Sequence, residues 1–186
     1  SGYTMWPNAM LKTAKVSLPP APASETTTYH YEDANNFDLL TGITDPRNIR
    51  YATFAYDVSR RAISTEHAGG TEKYTISYDD VTGKRTVTNP LGKQSVLNFT
   101  LNGTVWALTS IDGLVSTNCP ASSKSTAYDS NGRITDRTDE EGRVTHYVRD
   151  SRGLQTSITR GYGTPQAVTT TFTNHATLRV PTQMVE

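Results

Sequence analysis

Residues 128–154 read YDSNGRITDRTDEEGRVTHYVRDSRGL, and this stretch decides the fold. Asp129 follows an aromatic residue, and its carboxylate can accept a backbone N–H two residues further on, which closes an Asx turn. Gly132 suits the position of positive φ that a tight hairpin turn requires. The stretch therefore predicts short antiparallel hairpins. The same logic recurs at Asp139 with Gly142 and at Asp150 with Gly153.

Further copies of this unit occur along the chain. One begins at Tyr56-Asp57, and another begins at Tyr78-Asp79 and continues through Gly83 and Gly92. Together with weaker copies, the unit starts are residues 31, 56, 78, 99, 128, 149 and 172, which gives spacings of 25, 22, 21, 29, 21 and 23. A period near 22 residues accommodates about two strands of 5–6 residues and two turns.

The repeat divides the chain into two parts. Residues 1–27 do not fit the unit and are predicted to be an irregular N-terminal segment, in which residues 18–22, LPPAP, form a stiff extended connector. Residues 28–186 are predicted to hold about seven repeats. The longest unit contains residues 115–127, rich in Ser, Pro and Asn, which we interpret as a loop insertion.

Composition favours β structure with a thin core. Hydrophobic residues make up 34% of the 186 residues, whereas Thr occurs 31 times and Tyr 10 times. Thr and Tyr suit pleated, half-buried strands. Between turns the sequence alternates with period 2: Tyr74, Ile76 and Tyr78 are expected on one face, and Lys73, Thr75 and Ser77 on the other. The predicted fold class is all-β, with repeated antiparallel hairpins forming an elongated or curling sheet.

One position in each unit is predicted to form a ladder on one face of the sheet. It lies two residues before the opening aromatic residue or its equivalent, and its seven occupants are mostly large and apolar. One unit cannot cover such a face alone, so stacked neighbours must supply the cover through cross-strand pairs. The occupants are Tyr29, Phe54, Ile76, Leu97, Thr126, Tyr147 and Thr170.

Charge argues against two classes of partner. Eighteen basic residues balance eighteen acidic ones, and neither nucleic-acid arms nor polybasic membrane patches have that balance. No window reaches the roughly 18 apolar residues of a membrane span. We therefore expect no nucleic-acid partner and no membrane span.

Candidate catalytic and metal-binding residues are few, and each fits a structural role better. The paired acids Asp79-Asp80 and Glu140-Glu141 fall in repeat turns, where acidic residues are expected. Cys119 is the single cysteine and has no nearby histidine to activate it. The histidines lack the spacing of metal ligands. We expect no catalytic residue, no metal, no cofactor and no enzymatic activity. The four histidines are His30, His67, His146 and His175.

The two tryptophans bear on whether the sheet binds something. Exposed aromatic side chains on a sheet can stack on sugars, whereas a sheet with a thin core tends to bury its largest side chains. We expect Trp106 to be buried, and Trp6 lies outside the repeats and is left open. A strip of exposed aromatic side chains would favour recognition, and a buried ladder would favour a structural wall.

Tyr128-Asp129-x-x-Gly132-Arg133, followed by Thr138-Asp139-x-x-Gly142 and a closing Tyr147, resembles the YD repeat of the RHS family. The resemblance extends over roughly residues 29–180 and is strongest at residues 128–154. It implies a β ribbon that spirals into a hollow shell around a C-terminal toxic domain. The matching positions are Tyr56, Asp57, Tyr78, Asp79, Gly83, Gly92, Tyr128, Asp129, Gly132, Arg133, Asp139, Gly142, Tyr147, Asp150 and Gly153.

The resemblance implies a structural segment of a larger bacterial protein that is secreted or lies at the cell surface. Its partners would be the rest of that RHS polypeptide and its C-terminal effector domain. The alternative is a β module that binds a surface glycan or a partner protein. Family members with a toxin cargo end their shell in a self-cleaving segment with paired Asp-Pro motifs. This chain has only Asp45-Pro46, so no protease role is carried over.

Overall fold

The structure, a computed structural model, describes residues 2–5, 10–17 and 24–186. The predicted connector at residues 18–22 and Trp6 lie outside the described residues. Apart from a short 3-10 turn at Ala68–Gly70, the regular secondary structure of the described residues is strand. Each strand pairing with a described register is antiparallel, which confirms the all-β prediction.

The chain divides into two compact units, which are described separately. The first unit comprises residues 1–77 and 87–93, and the second comprises residues 78–86 and 94–186. The boundaries between them fall within strands β7, Thr71–Asp79, and β8, Lys84–Thr88. Within each unit, strands that follow one another along the chain are also neighbours in the sheet.

The first unit carries six further strands besides β7. Their pairing continues without a crossover from β1 to β7, so each hairpin is closed by a local turn. The strands are β1 (Gly2–Met5), β2 (Leu11–Ser17), β3 (Ser24–His30), β4 (Gly42–Thr44), β5 (Arg50–Tyr56) and β6 (Ala62–His67). Within the N-terminal segment expected to be irregular, β1 pairs with β2 and β2 pairs with β3.

The second unit repeats the same meander with eight strands. They are β9 (Gln94–Asn102), β10 (Val105–Gly113), β11 (Ser122–Tyr128), β12 (Ile134–Thr138), β13 (Val144–Arg149), β14 (Gln155–Arg160), β15 (Val168–Asn174) and β16 (Pro181–Val185). Single-residue register shifts occur beside several turns, for example between Ala127 and Tyr128 and between Val148 and Arg149. Such bulges bend a strand and increase its twist.

The predicted loop at residues 115–127 is shorter than expected. Residues 122–127 belong to β11, and Ser125 lies opposite Ser110 on β10. The Ser-rich sequence concealed this strand because its side chains are mostly exposed and show no apolar alternation. The nine-residue strand β10 nevertheless needs a partner for its backbone groups. The division into residues 1–27 and a repeat region at residues 28–186 remains a prediction.

Little of the described chain is buried. Ala52, at 4% exposure, is the one buried hydrophobic side chain among the described residues, and Thr170 is buried at 6%. The other six predicted ladder positions are half-buried. Their direct neighbours differ from the prediction, because a second strand of each repeat intervenes: Tyr147 lies opposite Ile158, and Ile158 lies opposite Thr170.

Candidate functional site: the Tyr-Asp turns

The turn at Asp129 is closed by four hydrogen bonds. The backbone N–H of Asp129 donates to the carbonyl of Arg133 at 2.8 Å, and the N–H of Gly132 donates to the carbonyl of Asp129 at 3.0 Å. The Asp129 carboxylate accepts the N–H groups of Asn131 and Arg133, each at 2.9 Å. Gly132 has a φ of 76°, which a residue with a Cβ adopts only with strain. The side chain of Asp129 therefore satisfies two donors that the turn would otherwise leave open.

Five further turns use the same four hydrogen bonds. In each, the first residue accepts N–H groups two and four positions further on, and the fourth residue has a positive φ. Glycine occupies that fourth position in three of the five, Asn48 and Arg60 occupy it in the other two, and Asn89 replaces the aspartate in one. The turns begin at Asp45, Asp57, Asn89, Asp139 and Asp150.

The turn at Asp79 is different. Its carboxylate accepts the N–H of Val81 at 3.0 Å and the N–H of Thr82 at 3.1 Å, and the residue of positive φ is Gly83, one position later. Gly83 is buried, and a Cβ there would lie 3.3 Å from the ring of Trp106. The indole of Trp106 therefore packs closely on the backbone of Gly83, where a side chain would crowd the ring.

Trp106 is 60% exposed, so the expectation that it is buried was wrong. One edge of the ring packs on Gly83, and the rest of the ring is exposed to solvent. A single sheet layer has no second layer that could cover it. Other aromatic side chains are also exposed: Tyr3, Phe37, Tyr51, Tyr74 and Tyr162. The ladder positions are half-buried or buried. The chain therefore combines the exposed aromatic side chains expected of a recognition surface with the covered ladder expected of a structural wall.

The turn aspartates have lowered pKa values. The backbone N–H of Arg133, the N–H of Asn131 and the nearby charge of Arg133 hold the pKa of Asp129 below its ordinary range. The backbone N–H and the guanidinium of Arg61 do the same at Asp57. At Asp139 the largest cause is the guanidinium of Arg143, which donates to the carboxylate at 2.7 Å. These carboxylates are therefore held ionised as hydrogen-bond acceptors, which is a structural use of the charge.

Two of the three tyrosines that directly precede a turn aspartate contact a neighbouring repeat. The hydroxyl of Tyr56 donates to the carbonyl of Leu40 at 2.8 Å, and that of Tyr128 donates to the carbonyl of Leu108 at 2.9 Å. Burial raises the pKa of the Tyr56 hydroxyl. Tyr78 and Tyr147 instead lie beside the guanidinium groups of Arg85 and Arg149, at 5.1 and 5.8 Å from the ring centroids.

Asparagine amides link repeats in a way the sequence did not reveal. The amide of Asn102 donates to the carbonyl of Asp129 at 3.0 Å, across 27 residues, and that of Asn36 donates to the carbonyl of Asp57 at 3.5 Å, across 21 residues. Asn36 is buried at 2% exposure. The available signal was an asparagine about one repeat before Tyr56-Asp57 and before Tyr128-Asp129. Arg133, which the motif did identify, places its guanidinium against Gly153 of the following turn.

Asp80, Glu140 and Glu141 form ion pairs with nearby basic side chains, and three of the four histidines lie beside a carboxylate. The ring of His175 instead accepts the backbone N–H groups of Thr177 and Leu178, at 3.2 and 3.0 Å. His146 lies 2.7 Å from Asp136 and stacks on Tyr162 at 4.4 Å, whereas His30 and His67 lie 3.2 Å from Glu32 and Glu72. No cluster of three or more His, Cys, Asp or Glu side chains that could hold a metal occurs among the residues that the structure describes. Cys119 is exposed, and its backbone pairs with that of Ser116.

The turn and strand geometry defines a repeat protein whose hairpins are closed by Asx residues and linked to one another by side chains. Within it, residues 128–165 match the family described as RHS Repeat. Over these residues the chain resembles an RHS repeat, and the predicted resemblance to the RHS/YD-repeat family is confirmed. No curated protein sequence matches the chain.

Two solved structures with a similar fold both contain TcdB2-TccC3. "Crystal Structure of TcdB2-TccC3-TEV" matches with a TM-score of 0.61 and 15% identity, over 83% of this chain and 9% of that one. "Crystal Structure of TcdB2-TccC3" matches with a TM-score of 0.53 and 14% identity, over 92% of this chain and 12% of that one. At these identities the likeness shows the fold. The chain spans about a tenth of the length of these structures.

No helix in the described part of the chain has the length and apolar character needed to cross a membrane.

Proposed function

We propose that this chain is a structural RHS segment of a larger, secreted or surface-exposed bacterial protein, and that its sheet forms part of a wall that encloses or displays a C-terminal effector domain. The observation that carries the proposal is the repeated Asx turn with its links between repeats. Six turns share the same hydrogen bonds, and Tyr128 and Asn102 connect the Asp129 hairpin to the preceding one. Such links favour a rigid continuous ribbon over a set of independent binding loops.

The energetic pattern supports a structural role. Stability in repeat proteins comes from units and the interfaces between neighbours, so every added repeat extends the same sheet. The likeness to the TcdB2-TccC3 structures, of which this chain spans about a tenth, supports the idea that the chain is one arc of such a sheet. The proposed activity is to enclose or display, and we assign no chemical step to any side chain.

Limited proteolysis of the full parent protein tests the proposal. The C-terminal domain should resist protease until the repeats are disrupted, for example by Gly132→Val together with Gly142→Val in this segment. Ser130→Val and Glu140→Val serve as the matched controls, because they alter the same turns at positions of negative φ. The wall is refuted if the C-terminal domain is digested at once while the repeats of the unmodified parent survive.

A second candidate is a β module that binds a surface glycan or a protein partner. The observation that favours it is Trp106, whose indole is 60% exposed beside Gly83. A glycan-array screen of the chain and its Trp106→Ala variant tests this function. Glycan binding that is lost in the Trp106→Ala variant supports recognition. If no glycan binds to the chain, the structural proposal is favoured over glycan recognition.

A further inference from the structure

The second unit carries two arginines without a partner on one face of the sheet. Arg137 on β12 lies opposite Thr145 on β13, and Thr145 lies opposite Arg160 on β14. Directly opposed residues on neighbouring strands share a face, and strands are about 4.8 Å apart, so the two arginines lie roughly 10 Å apart at their Cα atoms. They flank the hydroxyl of Thr145.

These two side chains contrast with the neighbouring basic residues Arg143 and Lys124. Arg143 pairs with Asp139 and Glu141, each at 2.7 Å, and Lys124, on the same side, pairs with Glu140 at 3.3 Å. Within the described part of the chain, the side chains of Arg137 and Arg160 form neither a hydrogen bond nor an ion pair, and both residues are exposed. Glu186 lines a pocket together with Arg160 but makes no ion pair with it. The acidic side chains of the Asp139 turn are thus paired with Arg143 and Lys124. The positive charges of Arg137 and Arg160 remain unpaired within the described ranges.

An apolar row lies next to these charges on the same face. Tyr147 is two residues beyond Thr145 and faces Ile158, while Tyr128 faces Ile134. Arg137, Tyr128, Ile134 and Tyr147 line one open pocket of about 480 Å³. The face therefore combines a row of cationic side chains with a row of apolar side chains that lies two residues away along the strands. This arrangement suits a ligand in which carboxylate and apolar groups alternate.

We propose that this face, formed by Arg137, Thr145, Arg160, Tyr147 and Ile158, is a docking surface for an acidic, amphipathic peptide segment. The carboxylates of the segment pair with Arg137 and Arg160, whose planar guanidinium groups bind carboxylates through two parallel hydrogen bonds. Its apolar side chains pack on Tyr147 and Ile158. The inference rests on these side chains and holds whether or not the sheet is part of a wall.

A peptide fits this face better than an acidic sugar chain does. Stacking on a sugar requires a free, flat aromatic face. The hydroxyl of Tyr128 is already bonded to Leu108, and the guanidinium of Arg149 lies 5.8 Å from the centroid of the Tyr147 ring. Ile134 and Ile158 add aliphatic surface, which aliphatic peptide side chains match and hydroxylated sugar rings do not.

The test measures binding of a fluorescein-labelled peptide of alternating Glu and Leu to the full chain by fluorescence anisotropy. Arg137→Gln/Arg160→Gln should weaken binding by at least about tenfold, because both charge-assisted contacts are lost. Lys15→Gln/Lys73→Gln is the matched control, since it removes two exposed cations from the first unit, and should leave the affinity unchanged. A Lys-Leu peptide should not bind.

Equal affinity of the Arg137→Gln/Arg160→Gln variant and the unmodified chain for the Glu-Leu peptide would overturn the proposal. That result would also follow if the peptide simply added a strand to the edge of β16, and such an addition would not distinguish Glu-Leu from Lys-Leu peptides. Polygalacturonate provides the alternative ligand. If it binds through the two arginines and the Glu-Leu peptide does not bind, the surface takes an acidic sugar, and the peptide proposal is wrong. Thermal unfolding of both double variants confirms that they remain folded.

Discussion

The hairpins that open with Tyr56-Asp57 and with Tyr128-Asp129 make the same contacts with different sequences. In both, the tyrosine hydroxyl donates to a leucine carbonyl, and an upstream asparagine amide donates to the aspartate carbonyl. In both, the carboxylate accepts two N–H groups at 2.9 Å. They differ at the fourth turn position, where Gly132 has a φ of 76° and Arg60 has a φ of 66°.

This difference teaches which part of the motif determines the turn. An L-residue in the left-handed region costs about 1–2 kcal/mol, and Arg60 nevertheless adopts it. The four hydrogen bonds of the Asp57 turn therefore override the backbone preference of Arg60. Aspartate sets the turn, and glycine lowers its cost. Arg60 also gains an ion pair with Asp38, at 2.6 Å, that glycine could not make.

The largest expected effect is a break of the turn that glycine serves. Gly132→Val places a β-branched side chain at a φ of 76° and should destabilise the chain by about 2 kcal/mol. Urea unfolding followed by circular dichroism measures this loss. Ser130→Val, in the same turn, is the control and should have little effect. A Gly132→Val variant as stable as that control would show that glycine has no special role there.

The shared tyrosine contact should contribute less. Tyr128→Phe and Tyr56→Phe each remove a hydroxyl that donates to a leucine carbonyl, and each should cost about 1 kcal/mol. The same urea experiment gives both values. Tyr162→Phe is a suitable reference, because Tyr162 is 49% exposed and its hydroxyl has no partner among the described residues. Unequal losses at Tyr128 and Tyr56 would mean that the two hairpins are not equivalent.

The strain at Arg60 predicts a smaller effect. Arg60→Gly and Arg60→Ala both remove the ion pair with Asp38, but only glycine relieves the positive φ. The glycine variant should therefore melt about 1–3 °C above the alanine variant. The opposite order in a thermal unfolding experiment would show that the turn is not strained at residue 60.

The charge of the turn aspartate should stabilise the chain at neutral pH and lose this effect in acid. Because hydrogen bonds lower the folded pKa of Asp129, its contribution to stability is present above the unfolded pKa of about 3.9 and is lost as the pH falls through the lower, folded value. Asp129→Asn keeps the accepting oxygen, as Asn89 does in its own turn. The variant should therefore be somewhat less stable than the parent chain near pH 7, because it lacks the charge, and should lose less melting temperature below about pH 4. An identical acid profile would contradict this role.

Much of the fold could be predicted because its signals are local. Asp129 and Gly132 lie in one turn, and the Tyr74, Ile76, Tyr78 alternation lies in one strand, where burial follows it at Ile76 and Tyr78. The strand at residues 122–127 was missed because a run of exposed serines carries no apolar period. The sequence also gave no reason to place an arginine at a positive φ, because the hydrogen bonds that hold Arg60 there are not visible as a pattern.

The features that could not be predicted are those made between hairpins. Trp106 lies on Gly83, and the Asn102 amide reaches Asp129 across 27 residues. Both contacts depend on the register of neighbouring strands. β-Bulges shift that register at individual residues. The placement of Arg137 and Arg160 on either side of Thr145 also depends on this register. A repeat period alone does not contain this register.

The scarcity of buried apolar side chains has a calorimetric consequence. Among the described residues, Ala52 is the one hydrophobic side chain that is buried. Exposure of apolar surface is the main source of the heat-capacity increase on unfolding, which is about 12–15 cal/mol/K per residue in compact proteins. This chain should fall below that range. Its stability curve is then unusually flat, so cooling weakens it little, and its resistance to temperature depends on enthalpy from backbone and side-chain hydrogen bonds.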